Sequence, residues 1–315
     1  MLFIGPFPGK FFLPSPPQRG GGRSRPGTDK RSPKAMDDDK VHIAHPSGAR
    51  ACVYLHGAHL TSWKTASGQE QIFLSKEAVF KPPKAIRGGV PICFPQFSDF
   101  GPLKTSHGFA RNTRWSIFER EGDTVVLKLT SEDDNFLEKF GCEDSFTLSV
   151  RYTITDFQLF TRLTVTNTGG EEMAYTTALH TYFRVEDVTK ARVEGLYRVG
   201  YLDSLDGRVM KTDENPCISI SEEVDRIYLS TPPTVRLVDP IGKRVLTIEK
   251  YNLPDIVVWN PWVDKARRTG DLGDDEYKEM LCVETGCIKP AIKLAPGTVW
   301  KAEQIVTSKN NVSIP

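Results

Sequence analysis

The residues best suited to chemistry in this 315-residue chain lie in two segments rich in glycine and arginine. The first begins at Arg87 and ends at Phe97, and the second runs from Ser106 through Arg111 to Asn112. Glycines beside the arginines let the backbone approach a ligand closely, and a guanidinium can bind two phosphate oxygens at once. The pattern indicates an anion-binding loop, although a loop arginine can equally be a solvated or salt-bridged surface group.

Two further titratable residues occur in unusual settings. His180 ends an apolar run that begins at Met173, and Glu284 lies between Cys282-Val283 and a glycine turn. Histidine titrates near neutral pH and is suited to acid–base catalysis. A carboxylate in apolar surroundings needs a partner, because burying an unpaired charge is costly. From the residues alone, each can be either a hydrogen-bonded structural residue or a catalytic one.

Asp203 and the segment Trp259-Asn260-Pro261-Trp262 complete the candidates. Paired tryptophans can stack on a sugar ring, or they can simply pack in the core. Asp203 lies in a polar–apolar segment with no motif of its own.

Metal and disulfide chemistry is not indicated by residue spacing. The six cysteines form no Cys-x-x-Cys pair, and neither His-x-x-x-His nor His-Glu-x-x-His occurs. Without such spacing we expect no metal site. Scattered single cysteines are typical of buried free thiols in a reducing compartment.

The elements that must position these residues are predicted to be strands. Apolar residues recur at every second position from Phe146 to Ile154 and again from Phe157 to Val165, which is the period of half-buried antiparallel strands. Further strands are predicted at 125–129, 235–238, 245–249, 256–259 and 300–306. Helices are predicted only at 134–140 and 275–280. The pattern favours an all-β fold, a large antiparallel β-sandwich with few short helices.

The composition separates a leader from the rest of the chain. Residues 1–36 contain seven Lys or Arg against the single Asp29, with seven prolines and six glycines. Such a segment cannot bury enough apolar surface to offset its ordering entropy, so we expect a disordered leader. It is either an organelle transit peptide or an untargeted extension. We expect residues 37–315 to form one domain.

The overall charge excludes some partners. The 41 Lys and Arg nearly balance the 40 Asp and Glu, which gives no electrostatic reason to expect nucleic acid. No apolar run is long enough to cross a membrane. We expect a monomeric cytoplasmic protein, or a plastid one if the leader is a transit peptide.

Four motifs in order make the sequence similar to a known family. They are Arg87-Gly88-Gly89-Val90-Pro91, His107-Gly108-Phe109-Ala110-Arg111-Asn112, Leu179-His180-Thr181-Tyr182-Phe183 and Val283-Glu284-Thr285-Gly286. Together they resemble the aldose 1-epimerase superfamily, and within it the hexose-6-phosphate branch, from about Val41 to Val306. The resemblance implies a galactose-mutarotase-like supersandwich with an open cleft.

The resemblance also implies roles for individual residues. His180 aligns with the family's general acid and Glu284 with its general base. The substrate-binding positions that it implies are Arg87, Gln96, Ser106, His107, Arg111, Asp203 and Trp259, with the two arginines on a 6-phosphate. Ser106 departs from the Gln or Asp found in many relatives.

The implied reaction is exchange of the α and β anomers of a hexose 6-phosphate, chiefly glucose 6-phosphate. It needs a carboxylate at Glu284 and an imidazolium at His180, and we expect the first to have an ordinary pKa and the second a raised one. It needs no metal, nicotinamide or flavin cofactor. Two alternatives stay open: an epimerase for unphosphorylated hexose, and a non-catalytic module that binds sugar phosphate.

Overall fold

The computed structural model describes residues 39–132 and 136–310, and nearly half of them lie in antiparallel β-strands. The leader predicted at 1–36 lies outside the described residues. In chain order the strands are β1 (Lys40–Ala44), β2 (Arg50–Tyr54), β3 (His59–Lys64), β4 (Ile92–Cys93), β5 (Ser116–Glu121), β6 (Thr124–Thr130), β7 (Phe146–Ile154), β8 (Gln158–Asn167), β9 (Met173–Leu179), β10 (Tyr182–Arg184), β11 (Arg192–Glu194), β12 (Gly200–Asp203), β13 (Val209–Thr212), β14 (Cys217–Ser219), β15 (Val224–Tyr228), β16 (Thr234–Asp239), β17 (Arg244–Tyr251), β18 (Asp255–Asn260), β19 (Met280–Leu294) and β20 (Val299–Asn310).

The strands form three sheets. A three-stranded sheet has the order β1-β2-β3. An eight-stranded sheet has the order β13-β12-β15-β18-β19-β9-β4, with β10 also paired to β19. A nine-stranded sheet has the order β14-β11-β16-β17-β20-β8-β7-β6-β5. The predicted all-β class, with large antiparallel sheets, is confirmed.

The core lies where the eight- and nine-stranded sheets face each other. Leu281 and Val283 of β19 belong to the same apolar cluster as Leu163 of β8 and Val306 of β20. Because successive side chains of a strand point to opposite faces, Glu284 leaves β19 on the face away from this core. The alternation that buries the sandwich therefore also sets the direction of Glu284.

The predicted strand alternation is confirmed in detail with one exception. In β7 every second residue is buried, from Phe146 to Ile154. β8 is buried in the same way from Leu159 onward, but Phe157 lies before the strand and is 44% exposed. Phe157 lies in the turn before β8 and not in the strand, so its side chain does not point into the core.

Helices are few and short among the described residues. They are α1 (Phe136–Phe140), α2 (Trp262–Arg268) and three 3-10 helices at Ala110–Asn112, Ser204–Asp206 and Glu276–Glu279. The helix predicted at 134–140 is confirmed at Phe136–Phe140, while residues 133–135 lie outside the described part. The segment predicted at 275–280 is a 3-10 turn that leads into β19. In the described part of the chain, no helix has the length and apolar character needed to cross a membrane.

The six cysteines are free thiols, as predicted. Cys93, Cys142 and Cys282 are buried, whereas the other three are partly exposed. The prediction that the cysteines are buried is therefore confirmed for three of the six.

Candidate active site

A cavity of about 350 Å³ opens on the face of the eight-stranded sheet that points away from the shared core. Its lining residues come from strands β15, β18 and β19, from helix α2, and from loops and 3-10 helices around them. They are Arg87, Phe97, Ser98, His107, Arg111, His180, Ser204, Arg208, Asp225, Ile227, Val257, Trp259, Lys265 and Glu284.

Strand register brings His180 and Glu284 together. In the pairing of β9 with β19, Leu179 lies opposite Thr285, and in that of β10 with β19, Tyr182 lies opposite Cys282. The same register places His180 opposite Glu284. Their side chains meet, with 3.3 Å between Nδ1 and Oε1. Residues far apart in sequence thus become direct cross-strand neighbours.

The register continues across the next two strands and builds the cavity floor. Val257 lies opposite Glu284, and Ile227 opposite Val257. Two rows of side chains therefore share one face, displaced by two residues along each strand. The first row is Ile227, Val257, Glu284 and His180, and the second is Asp225, Trp259, Cys282 and Tyr182.

Two aromatic rings fix the orientation of His180. Its imidazole stacks on Tyr182, with centroids 4.8 Å apart and planes 7° apart. Trp259 contacts the same imidazole edge-on, at 5.9 Å and 81°. Trp259 therefore lines the cavity, whereas Trp262 packs against Tyr277.

Burial sets the protonation states of the His180–Glu284 pair. Desolvation raises the pKa of Glu284 well above its ordinary value, and Asp225 adds to this. Desolvation lowers the pKa of His180 well below its ordinary value, helped by His107 and Arg111. The prediction of an ordinary pKa for Glu284 and a raised pKa for His180 is therefore wrong, because both groups are nearly fully enclosed and burial favours the neutral form of each.

Arg87 is held firmly at one wall of the cavity. Its Nε donates to Asp271 at 3.0 Å and its Nη1 to the Tyr182 hydroxyl at 3.0 Å. The glycine turn beside it fits tightly: Gly89 has a φ of +67°, and a Cβ there would lie 2.3 Å from Nε2 of His59. Only glycine fits this approach, so the motif glycines serve to position Arg87.

Arg111 reaches the cavity from the 3-10 helix at Ala110–Asn112. Its Nη2 donates to the carbonyl of Ser106 at 3.1 Å. Its Nε is buried and has no hydrogen-bond partner among the described residues. This atom is closed to solvent, so a ligand in the cavity would meet the other N–H groups of Arg111.

His107 is a neutral hydrogen-bond donor at the cavity wall. Its Nδ1 accepts from the Ser98 backbone N–H at 3.2 Å, and Cys93 Sγ lies 3.2 Å from the same atom. The proton of the neutral ring is therefore on Nε2. Desolvation, assisted by Arg111 and Arg87, lowers the pKa of His107 well below its ordinary value.

Three of the predicted substrate positions do not line this cavity. Gln96 is fully buried, and its Nε2 donates to the carbonyls of Ser98 and Leu103, so it shapes the loop below the cavity. Ser106 is exposed and contributes only its carbonyl, to Arg111.

Asp203 is the third. It accepts from Lys211 at 2.7 Å and lines a neighbouring groove of about 450 Å³, which shares Asp225 with the cavity. The carboxylate that does line the cavity beside Trp259 is Asp225, which the sequence did not single out. Asp225 lies two residues before Ile227 on β15, so the two side chains point to the same face. Knowing that β15 pairs with β18 would have indicated that this face is the cavity.

Two cations at the cavity were also missed. Arg208 pairs with Asp99 and lies over the ring of Phe100, 4.4 Å from its centroid. Lys265 lies on α2 and contacts Glu223 at 2.9 Å. Neither is near the glycine-rich motifs in sequence, so no local pattern marks them.

Comparison with known proteins agrees with the fold. The sequence pattern of the aldose 1-epimerase family matches residues 39–307. A protein of Cenchrus ciliaris provisionally named glucose-6-phosphate 1-epimerase is 43% identical over 269 residues, which cover 81% of this chain and 80% of that protein. A Salmonella typhimurium protein with the same provisional name is 33% identical over 265 residues, covering 81% and 85%.

A solved structure extends the likeness to three dimensions. The crystal structure of a provisionally named mutarotase from Salmonella typhimurium superposes with a TM-score of 0.78 at 28% identity, covering 87% of this chain and 92% of that one. Fold and relatives together define an isomerase of the mutarotase class. The chain belongs to the aldose 1-epimerase family.

Proposed function

We propose that this epimerase interconverts the α and β anomers of hexose 6-phosphates, chiefly glucose 6-phosphate. The observation that carries the proposal is that one cavity contains both the His180–Glu284 pair and the two arginines Arg87 and Arg111. The provisional names of the relatives from Cenchrus ciliaris and Salmonella typhimurium support the same substrate.

The pair can open and close a pyranose ring. Glu284 accepts the proton of the C1 hydroxyl while His180 donates a proton to the ring oxygen O5, and the C1–O5 bond breaks to give the aldehyde. After rotation about C1–C2, His180 takes the O5 proton back, O5 attacks C1 from the other face, and Glu284 returns its proton to O1. A positioned acid or base each contributes roughly 10² to 10⁴ in rate.

Burial favours the neutral forms of Glu284 and His180, and these are the forms that are present once the sugar ring has opened. Ring opening starts from a Glu284 carboxylate and a His180 imidazolium, and it leaves both groups neutral. Burial raises the pKa of Glu284 and lowers that of His180, which stabilises this neutral form. The ion pair and the neutral pair hold the same total number of protons, so the two groups exchange roles during ring opening and closure without taking up a proton from solvent.

The arginines provide an anion site beside the pair. Arg87 uses two N–H groups on Asp271 and Tyr182 and has five in all, so three are left for a ligand in the cavity that it lines. Arg111, which lines the same cavity, is a second source of N–H donors. A 6-phosphate held there does not react, so its binding energy serves to orient C1 and O5 at the pair. His107 and Asp225 are placed to hydrogen-bond ring hydroxyls.

The decisive experiment compares phosphorylated and free sugar. NMR exchange spectroscopy would measure kcat/KM for the anomers of glucose 6-phosphate and of glucose with the full chain and with Arg87→Ala. We expect a strong preference for the phosphate ester, which Arg87→Ala reduces by roughly 10- to 150-fold, the equivalent of one charge-assisted hydrogen bond of about 1.5 to 3 kcal/mol. Lys84→Ala is the matched control, since Lys84 also contacts Asp271 but does not line the cavity.

Two outcomes would replace the proposal. Equal kcat/KM values for the two sugars in the unmodified chain would indicate an epimerase for unphosphorylated hexose. Tight binding of glucose 6-phosphate without accelerated exchange would indicate a non-catalytic binding module.

A further inference from the structure

The His180–Glu284 pair has a third neighbour with a metal-binding atom. Cys282 lies two residues before Glu284 on β19, so its side chain leaves the sheet on the same face. One ligand atom from each of the three side chains can be chosen so that all lie within 4.8 Å of one another. The three residues are buried, with 7%, 0% and 1% exposure for His180, Cys282 and Glu284.

We infer that His180, Cys282 and Glu284 form a zinc-binding site, and that zinc bound there inhibits the epimerase by occupying the place of the sugar's reacting oxygens. An imidazole nitrogen, a thiolate and a carboxylate oxygen are the ligand types that Zn²⁺ prefers. Three protein ligands leave one tetrahedral position free, and two of them, His180 and Glu284, line the cavity.

The geometry requires only a small contraction. Zinc bonds of about 2.0 to 2.3 Å in a tetrahedron place ligand atoms about 3.3 to 3.8 Å apart. The present 3.3 Å between Nδ1 of His180 and Oε1 of Glu284 already lies in that range. The 4.8 Å within which all three ligand atoms lie exceeds this range, so the Cys282 sulfur must move closer to the pair by a χ1 adjustment.

Two atoms at this point lack partners that an ion would supply. Nδ1 of His180 and Oε2 of Glu284 are buried, and neither has a hydrogen-bond partner among the described residues. Burial without a partner is costly for both groups. Coordination would give Nδ1 of His180 a partner and would offset the charge of the Glu284 carboxylate, and the Cys282 thiol would release its proton to solvent on binding.

The surrounding charges make this a reversible site. Arg87 and Arg111 line the same cavity and oppose a dication, whereas Asp225 favours one. The three ligands are contributed by strand register, not by a short sequence motif, which explains why metal-ligand spacing gives no indication of the site.

Cadmium binding tests the site without reference to the substrate. Cd²⁺ titrated into the full chain should produce cadmium–thiolate absorption in the ultraviolet with a stoichiometry of one per chain. Cys282→Ser should lose this absorption. Cys287→Ser is the matched control, because Cys287 lies on the same strand but is partly exposed and outside the cluster, and it should retain the absorption. Absorption that persists in Cys282→Ser would overturn the proposal.

Zinc inhibition tests the consequence. With free zinc held by a nitrilotriacetate buffer, zinc should stop anomer exchange in the unmodified chain, and EDTA should restore it. Relative to its own metal-free exchange rate, Cys282→Ser should need on the order of 100-fold more zinc for half inhibition than the unmodified chain, since even outer-shell changes cost 10- to 100-fold in metal affinity. Inhibition of both proteins at the same zinc concentration would overturn the proposal.

A second variant guards against misfolding of Cys282→Ser. Glu284→Gln removes a ligand while leaving the thiol in place, so it should bind Cd²⁺ on the order of 100-fold more weakly, with the same thiolate absorption at saturation. An unchanged cadmium affinity in that variant would also overturn the proposal. Because both cadmium tests are independent of turnover, they stand even if the phosphate preference is wrong.

Discussion

Thr285 donates a hydrogen bond to Gln304 across the two large sheets, with 2.9 Å between Oγ1 and Oε1. The Gln304 amide nitrogen contacts Thr181 Oγ1 at 3.3 Å. Thr181 and Thr285 directly follow His180 and Glu284 in sequence. One glutamine of β20 therefore joins, from the core side, the two chain segments that present the pair to the cavity.

Gln304→Leu should lower both stability and turnover. The change leaves two fully buried threonine hydroxyls without their partner, which costs about 1 to 3 kcal/mol. We expect kcat to fall more than KM rises, because the pair loses alignment while the cavity wall is untouched. Urea unfolding and NMR exchange spectroscopy measure the two effects.

The triple variant Thr181→Val, Thr285→Val, Gln304→Leu provides the control. Replacing all partners by apolar groups of similar shape is nearly neutral, so stability should recover. A triple variant less stable than Gln304→Leu would contradict this account of the network.

Glu284→Gln and His180→Asn should each abolish catalysed exchange. We expect losses of roughly 10² to 10⁴ in kcat, with the double variant little worse than either single one, because the two groups act as a unit. Calorimetry should find nearly unchanged affinity for glucose 6-phosphate. Full activity in Glu284→Gln would show that another residue is the base.

Inorganic phosphate should raise the pKa of His180. Arg111 and Arg87 are among the causes that lower this pKa, and an anion bound to them offsets their charge. Imidazolium, the form needed to protonate O5, then becomes more favourable. NMR titration of the His180 ring with and without phosphate, at matched ionic strength in chloride, measures the shift. A pKa that falls or stays constant would place the anion elsewhere.

His59→Gln should weaken the dependence of stability on pH. The buried His59 donates from Nε2 to the Gly88 carbonyl at 2.8 Å, and burial lowers its pKa from 6.5 to about 3. Between these values the unfolded chain binds one more proton, so folding stability is lost as the pH falls, by about 1.4 kcal/mol per pH unit. Glutamine retains a donor without titrating.

The measurement is the free energy of unfolding in urea between about pH 7 and pH 5 for both proteins. The unmodified chain should lose stability more steeply than His59→Gln. Parallel slopes would mean that His59 is protonated in the folded state.

Short-range patterns in the sequence were enough to predict the strands. Alternation along β7 can be recognised in the sequence, because successive side chains of a strand point to opposite faces and only one face packs on the core. Phe157 was misplaced because a turn and the first residue of a strand have the same local pattern. The class and the main strands were therefore predictable, and the strand order was not.

Site residues within sequence motifs could be predicted, whereas those that reach the cavity only through strand pairing could not. Four motifs that resemble a family name Arg87, Arg111, His180 and Glu284, which the structure brings to one cavity. No motif names Asp225, whose position on the cavity depends on the pairing of β15 with β18. The protonation states were predicted wrongly for a related reason: enclosure by Tyr182 and Trp259 is a tertiary property.

The register of β19 against β9 shifts between Cys287 and Ile292, and this shift affects where the chain can change in length. Before it, Cys287 of β19 lies opposite Thr177, and after it Ile292 lies opposite Tyr175, so β19 contains extra residues there. An insertion or deletion at this point is absorbed locally. One residue added between Leu281 and Glu284 would instead turn the carboxylate into the sandwich interior. The bulge is therefore the position on β19 where we expect this chain to accept a change in length while His180 and Glu284 stay aligned.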